Sequence, residues 1–160
     1  MNLRDAFRTG ASFGLTSGVL TTLGLIVGLH SGTHSRAAII GGVMTIAVAD
    51  ALSDALGIHV HEESENEHSP REIWVSTLAT LVTKFAMAAS FLLPLMTLQL
   101  SYAIVASIAW GAVVLTLISF FLARDQHIRS AKVISEHLGI AALVVVLTHL
   151  LGDWTARLLS

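Results

Sequence analysis

Read for polarity alone, the chain is five long apolar runs separated by short polar breaks. The runs extend from Ala11 to Leu29, Ala37 to Ile58, Ile73 to Leu98, Tyr102 to Ala123 and Val133 to Leu151. Each approaches the ~20 residues an α-helix needs to cross a hydrocarbon core about 30 Å thick. Runs this apolar predict helices, because every backbone N–H and C=O must find its partner inside its own segment. The period-two alternation of a barrel strand is absent. The predicted fold class is therefore all-α: a polytopic membrane protein with five transmembrane helices in a single domain, residues 1–160.

The breaks SGTHSR, LQLS and RDQHIRSAK are short, which predicts antiparallel neighbours. The one longer polar connection follows the second run, and Ser69-Pro70 interrupts it at a point suited to a new helical start. Orientation is read from Lys and Arg. With the N-terminus inside, Arg4, Arg8, Arg71, Arg124, Arg129 and Lys132 are cytoplasmic, against Arg36 and Arg157 outside. The expectation is N-in, C-out, with the acidic connection in the cytoplasm.

Composition agrees with this picture. Apolar residues make up 54% of the chain and charged residues 12%, about half the fraction of an ordinary soluble domain. Mean hydropathy is +0.75. A net charge of −2 gives no footprint for nucleic acid, and the absence of cysteine excludes disulfides and thiolate metal sites. The N-terminal run is of span length and lacks a basic region leading to a small-residue cleavage site, so it reads as a first helix rather than a removed signal. No nucleophile–base constellation, P-loop or dinucleotide motif occurs, and no enzyme is expected.

The stretch ADALSDALGIHVHEESENEHSPRE, residues 49–72, carries the chemistry. Placed on one helix at 100° per residue, Asp50, Asp54, His61 and His68 fall within about 40° of one another, Gly57 lies beside them, and Glu65 is about 60° from Asp50. At ~1.5 Å per residue this stripe is roughly 27 Å long. Carboxylates inside a span are expensive, at ~2.5–3.5 kcal/mol each even on the lenient insertion scale. Two on one face suggest a cation or proton site; the structural alternative is a pair with Lys84 or hydrogen bonds to hydroxyls. His59, His61, Glu62, Glu63, Glu65, Glu67 and His68 form an acidic, histidine-bearing segment at 59–72, which reads either as a metal-collecting site or as a solvated loop. Carboxylate and imidazole without thiolate suit Fe²⁺, Mn²⁺, Co²⁺ or Zn²⁺.

The first run contains GASFGLTSG, with Gly10, Gly14 and Gly18 four apart. That spacing allows close helix approach in lipid, within one subunit or between two. Trp74 and Trp154 sit near run ends, as interfacial indoles do. Glu136-His137 and Asp153 read as boundary residues, and His149 stands alone as a histidine within the last run.

GASFGLTSGVLTTLGLIVGL, ALSDALGIHVHEESE, ASFLLPLM and RSAKVISEHLGIAALVVVLTHLLGDW together resemble the vacuolar iron transporter family over nearly the whole chain. The first resembles that family's Ser-Asp-Gly-Leu-Thr helix, the second its Ser-Met-Gly-Leu-Gly helix, and the third its proline-containing helix. The last resembles the fifth helix, with its early Gly and late Ile-Gly. The resemblance implies five helices, N-in and C-out, a homodimer with the path at the subunit interface, and proton exchange. It also has departures. Phe13 stands where the family has a metal-binding aspartate, Asp54 where it has a metal-binding methionine, and no glutamate occurs near Ile46. The cytoplasmic metal-binding insertion is cut short.

The combined expectation is a plasma-membrane exporter of a divalent transition metal, Fe²⁺ or Mn²⁺ first. The ion is substrate rather than a tightly bound cofactor, and the partners are the lipid bilayer and a second copy. Asp50 and Asp54 are the intramembrane ligands, and the 59–72 segment is the collecting site. The alternative is a non-transporting metal sensor or assembly module that kept the fold, a reading Phe13 favours.

Overall fold

Long apolar runs whose backbone groups bond within themselves leave only the ends and breaks to be specified by individual residues. In the computed structural model, which describes residues 2–159, six helices follow one another. They are α1 (Leu3–Thr33), α2 (Arg36–Ser64), α3 (Pro70–Ser90), α4 (Leu92–Thr97), α5 (Leu100–Asp125) and α6 (Ser130–Leu159). Five stretches among the described residues are long and apolar enough to cross a membrane: α1, α2, α3 with α4, α5 and α6. α1, α2 and α6 extend past their apolar runs by one or more turns.

Local chemistry explains the ends. Asn2 accepts the backbone N–H groups of Arg4 and Asp5, both at 3.0 Å, and caps α1. His34, Asn66 and His127 take left-handed backbone conformations just past α1, α2 and α5, the usual way a helix C-terminus turns off. At the start of α3, Glu72 accepts the Ser69 N–H at 2.9 Å, and Ser69 Oγ faces the Glu72 N–H at 3.4 Å. With Pro70 as the first helical residue, this is a capping box.

Two expectations change. The third run was expected to be continuous, but it divides at Phe91 into α3 and α4. Pro94 lacks an N–H for the Ser90 carbonyl, and its ring crowds that carbonyl, so the helix breaks one turn upstream of the proline. The polar stripe was expected to continue to His68, but α2 ends at Ser64. Glu65, Glu67 and His68 lie beyond it, and the helical alignment holds only from Asp50 to His61.

The chain forms two compact units. Unit 1 joins residues 1–18 with 44–90. Its seam is the glycine stripe, where a Cβ on Gly10 would lie 2.1 Å from the Ser76 carbonyl oxygen and one on Gly14 2.3 Å from Thr83 Oγ1. Thr80 bridges the seam by donating to the carbonyls of Gly10 (3.1 Å) and Ser76 (2.9 Å). The glycine spacing is therefore used within the chain, between α1 and α3. Unit 2 joins residues 19–43 with 91–160. In it α5 packs on α6, and Gly152 of α6 meets α1 so closely that a Cβ would lie 2.4 Å from the Gly28 carbonyl oxygen.

The outer surface is apolar. Met44, Val48, Leu52, Leu56 and Val60 form an exposed row along α2, and Leu143, Val146, Leu147, Leu150, Leu151 and Trp154 stand out from α6. Apolar surface this extensive is incompatible with water and suited to lipid. The protein is an integral membrane protein.

A candidate ion site at the helix centres

Ser17, Asp50 and Lys84 each stand fourteen positions after the first residue of their helices, which begin at Leu3, Arg36 and Pro70. At ~1.5 Å per residue that is about 21 Å from each helix start, deep in the spanning region of all three. They meet there. Lys84, only 2% exposed, places Nζ 2.6 Å from Asp50 Oδ2 and in contact with Asp54 Oδ2. It also donates to Ser17 Oγ at 2.9 Å. Ser17 in turn donates to Asp54 Oδ2 at 2.6 Å.

An ammonium has three protons to donate; here Ser17 and Asp54 accept from Lys84, while Asp50 is held beside it as an ion pair whose Oδ2 accepts no hydrogen bond. Two carboxylates against one ammonium leave the cluster one negative charge in excess. Such a group survives burial only by mutual pairing, because the desolvation cost of each ion is several kcal/mol. Sequence reading singled out Asp50, Asp54 and Lys84 but missed Ser17. Its signal was positional: a hydroxyl one turn past Phe13, at the same depth as the aspartates. Phe13 itself is exposed, so α1 contributes to the cluster through Ser17.

The remaining candidates separate from this cluster and from one another. His59 Nδ1 lies 3.0 Å from Thr77 Oγ1, and that hydroxyl already donates to the Ile73 carbonyl at 2.7 Å. Nδ1 therefore carries the hydrogen, and Nε2 of a neutral His59 is left with its lone pair. The ring meets Trp74 edge-on at 4.8 Å between centroids. Past the end of α2 the chain folds back, bringing His68 Nδ1 to 2.6 Å from Glu62 Oε2 and 3.9 Å from Glu65. Glu62 is buried by this return, whereas Glu63 and Glu67 are exposed. His61 Nε2 faces Glu65 at 3.6 Å across one helical turn.

Among the described residues, no three histidine or carboxylate side chains converge as a ready metal site. The nine candidates fall instead into an aspartate pair on Lys84, a single His59, and an acidic turn around Glu62 and His68. Unit 2 holds contacts of residues that the sequence presents as boundaries, Asp153 with Ser31 and His137 with Ser119 at 2.7 Å, and of His149, which stands alone in the sequence but meets Ser31 and Asp153.

No family model matches the chain, and neither a curated protein nor a solved structure matches it. The resemblance to vacuolar iron transporters rests on the motifs quoted above.

Proposed function

We propose that this protein is a secondary carrier that moves a cation across the membrane in exchange for protons, with Asp50, Asp54, Lys84 and Ser17 as the transit site. One observation carries the reading: two carboxylates at the centre of a span converge on a single ammonium. Intramembrane ionisable groups that face one another mark ion and proton pathways more often than scaffolding. The Lys84 ammonium sits where a cargo cation would be most strongly held. When a divalent ion arrives, Lys84 releases a proton or withdraws, and the two carboxylates neutralise the ion. When the ion leaves, Lys84 restores the pair.

The acidic turn supports a divalent transition metal as cargo. The Nε2 of a neutral His59 offers its lone pair, and His61, Glu62, Glu65 and His68 supply oxygen and nitrogen donors without sulfur, a set that suits Fe²⁺, Mn²⁺, Co²⁺ or Zn²⁺. Under the positive-inside rule this turn is cytoplasmic and the direction is export from the cell. A homodimer belongs to the same reading, with the exposed α2 row at Met44, Val48, Leu52 and Leu56 as its contact. The experiment is metal flux into proteoliposomes under an imposed pH gradient, with Fe²⁺, Mn²⁺, Co²⁺ and Zn²⁺ in turn. Flux of any one that stops with Asp54→Asn supports the carrier. Absence of flux for all four removes it.

A second reading has its own observation. Lys84 is held by groups of its own chain, donating to Ser17 and Asp54 and paired with Asp50, which is also what a closed polar clamp in a non-transporting sensor or assembly module would show. The two diverge in Asp54→Asn, which retains hydrogen-bonding capacity but not the charge that a cation requires.

A further inference from the structure

A second cluster of nitrogen and oxygen donors lies in unit 2, where the end of α1 meets α6. Gly152 has no side chain to hold the helices apart, and a Cβ there would lie 2.7 Å from Ser31 Cβ. This contact sets Ser31 against the residues on either side of Gly152 in helical register. The Ser31 hydroxyl donates to Asp153 Oδ1, and His149 Nδ1 lies 3.0 Å from the same hydroxyl oxygen. A serine has one proton to give. Since it goes to Asp153, the bond to His149 requires hydrogen on Nδ1. In a neutral His149, Nε2 then carries the lone pair, and it faces Asp153 Oδ2 at 3.7 Å.

A lone pair and a carboxylate oxygen at that separation do not bond to each other. They do form a chelating bite. An ion about 2.1 Å from each atom would see them at roughly 120°, within the range of tetrahedral and five-coordinate sites. The supporting hydroxyl is what such a site needs, because a metal-bound histidine ordinarily donates its other N–H to an oxygen that fixes its tautomer and aim. Here Ser31 does this for His149 and restrains Asp153 as well. Further donors are close. His30 stands one residue before Ser31 on α1 with its Nδ1 buried and without a hydrogen-bond partner, and the His30 and His34 rings lie 5.3 Å apart. Arg157 is the cation that faces Asp153 from the next turn of α6.

We propose that His149 Nε2 and Asp153 Oδ2 bind a divalent transition metal of the Zn²⁺ or Co²⁺ class, with His30 as the third ligand after a side-chain rotation and Ser31 as the residue that positions the first two. This site is separate from the Lys84 cluster and independent of whether the protein transports anything.

The test is binding, not flux. Co²⁺ is titrated into purified protein in nanodiscs and followed by its d–d absorption. Wild type is expected to show the intense band of a four- or five-coordinate ion. The triple variant His59/His61/His68→Ala, which removes the histidines of the acidic turn, is expected to keep it. Added to that triple variant, His149→Gln and Asp153→Asn are expected to lose it, and Ser31→Ala to weaken binding about tenfold. A triple variant without the band, or one that keeps it after His149→Gln is added, overturns the proposal. Should a variant fail to fold, nitrogen-15 histidine spectra of the wild type decide alone. Zn²⁺ must perturb Nε2 of His149 while Nδ1 stays protonated, and perturbation at Nδ1 or at neither nitrogen overturns the site.

Discussion

Lys84 of α3 and Asp50 of α2 are joined at 2.6 Å with each residue fourteen positions into its helix. An ion pair at that depth has no water to fall back on. Lys84→Met, which keeps the length of the side chain and removes its charge, leaves Asp50 and Asp54 facing each other uncompensated. Loss of one partner from a buried pair costs about 3–5 kcal/mol, so a marked drop in unfolding free energy in mild detergent is expected. Adding Asp50→Asn and Asp54→Asn to Lys84→Met should recover most of it. Equal stability of wild type and Lys84→Met would mean that the carboxylates are not charged in the folded protein.

Asp54→Asn isolates charge from shape. The amide can still accept from Ser17 and Lys84, so folding and insertion should survive. Metal flux in proteoliposomes should be lost, with Asp50→Asn milder, because Asp54 alone is bonded to both Ser17 and Lys84. Normal flux in Asp54→Asn would place the path elsewhere.

Glycines that touch and glycines that do not should respond oppositely to alanine. A Cβ at Gly10 meets the Ser76 carbonyl oxygen at 2.1 Å, whereas at Gly57 and Gly139 nothing lies within 4 Å. Gly10→Ala must push α1 from α3 and should destabilise by about 1–3 kcal/mol, the usual cost of overpacking. Gly57→Ala and Gly139→Ala should stabilise by roughly 0.5–1 kcal/mol through helix propensity. Thermal unfolding in one detergent reads all three, and a neutral Gly10→Ala would contradict the seam.

The acidic turn should bind divalent metal weakly and lose it as pH falls, because protons compete for the imidazole nitrogens. In His59/His61/His68→Ala, Mn²⁺ or Co²⁺ affinity measured by calorimetry should drop at least tenfold at the turn. The His149–Asp153 site of unit 2 should remain, so two binding events in wild type become one. An unchanged isotherm would reduce the three histidines to solvated side chains.

The five membrane-length stretches and the placement of the α2 aspartates were legible because hydropathy and intramembrane charge are properties of single segments. Pairing across segments was legible only in part. Lys84 stood out as the one cation inside a run, which made it the natural partner for Asp50 and Asp54, whereas Ser17 looked like any hydroxyl in an apolar helix. The stripe to His68 overran because helical projection takes no account of a C-terminal turn, and Asn66 supplies one. The Phe91 break was hidden for a related reason: Pro94 was visible, but a proline disrupts the helix a turn before itself. His149, Ser31 and Asp153 stayed apart on paper because a glycine contact between α1 and α6, more than a hundred residues distant in sequence, brings them together.

The Lys84 cluster also constrains how the chain enters the bilayer. During synthesis α2 emerges before α3, so two carboxylates reach the membrane ahead of their ammonium. Each unpaired aspartate at a helix centre costs ~2.5–3.5 kcal/mol, enough to hold α2 at the insertion machinery instead of releasing it into lipid. The tight turn between them, closed by His68 on Glu62 and by Ser69 with Glu72, lets α3 follow directly. α2 and α3 therefore partition as one hairpin, with neutralisation accompanying entry.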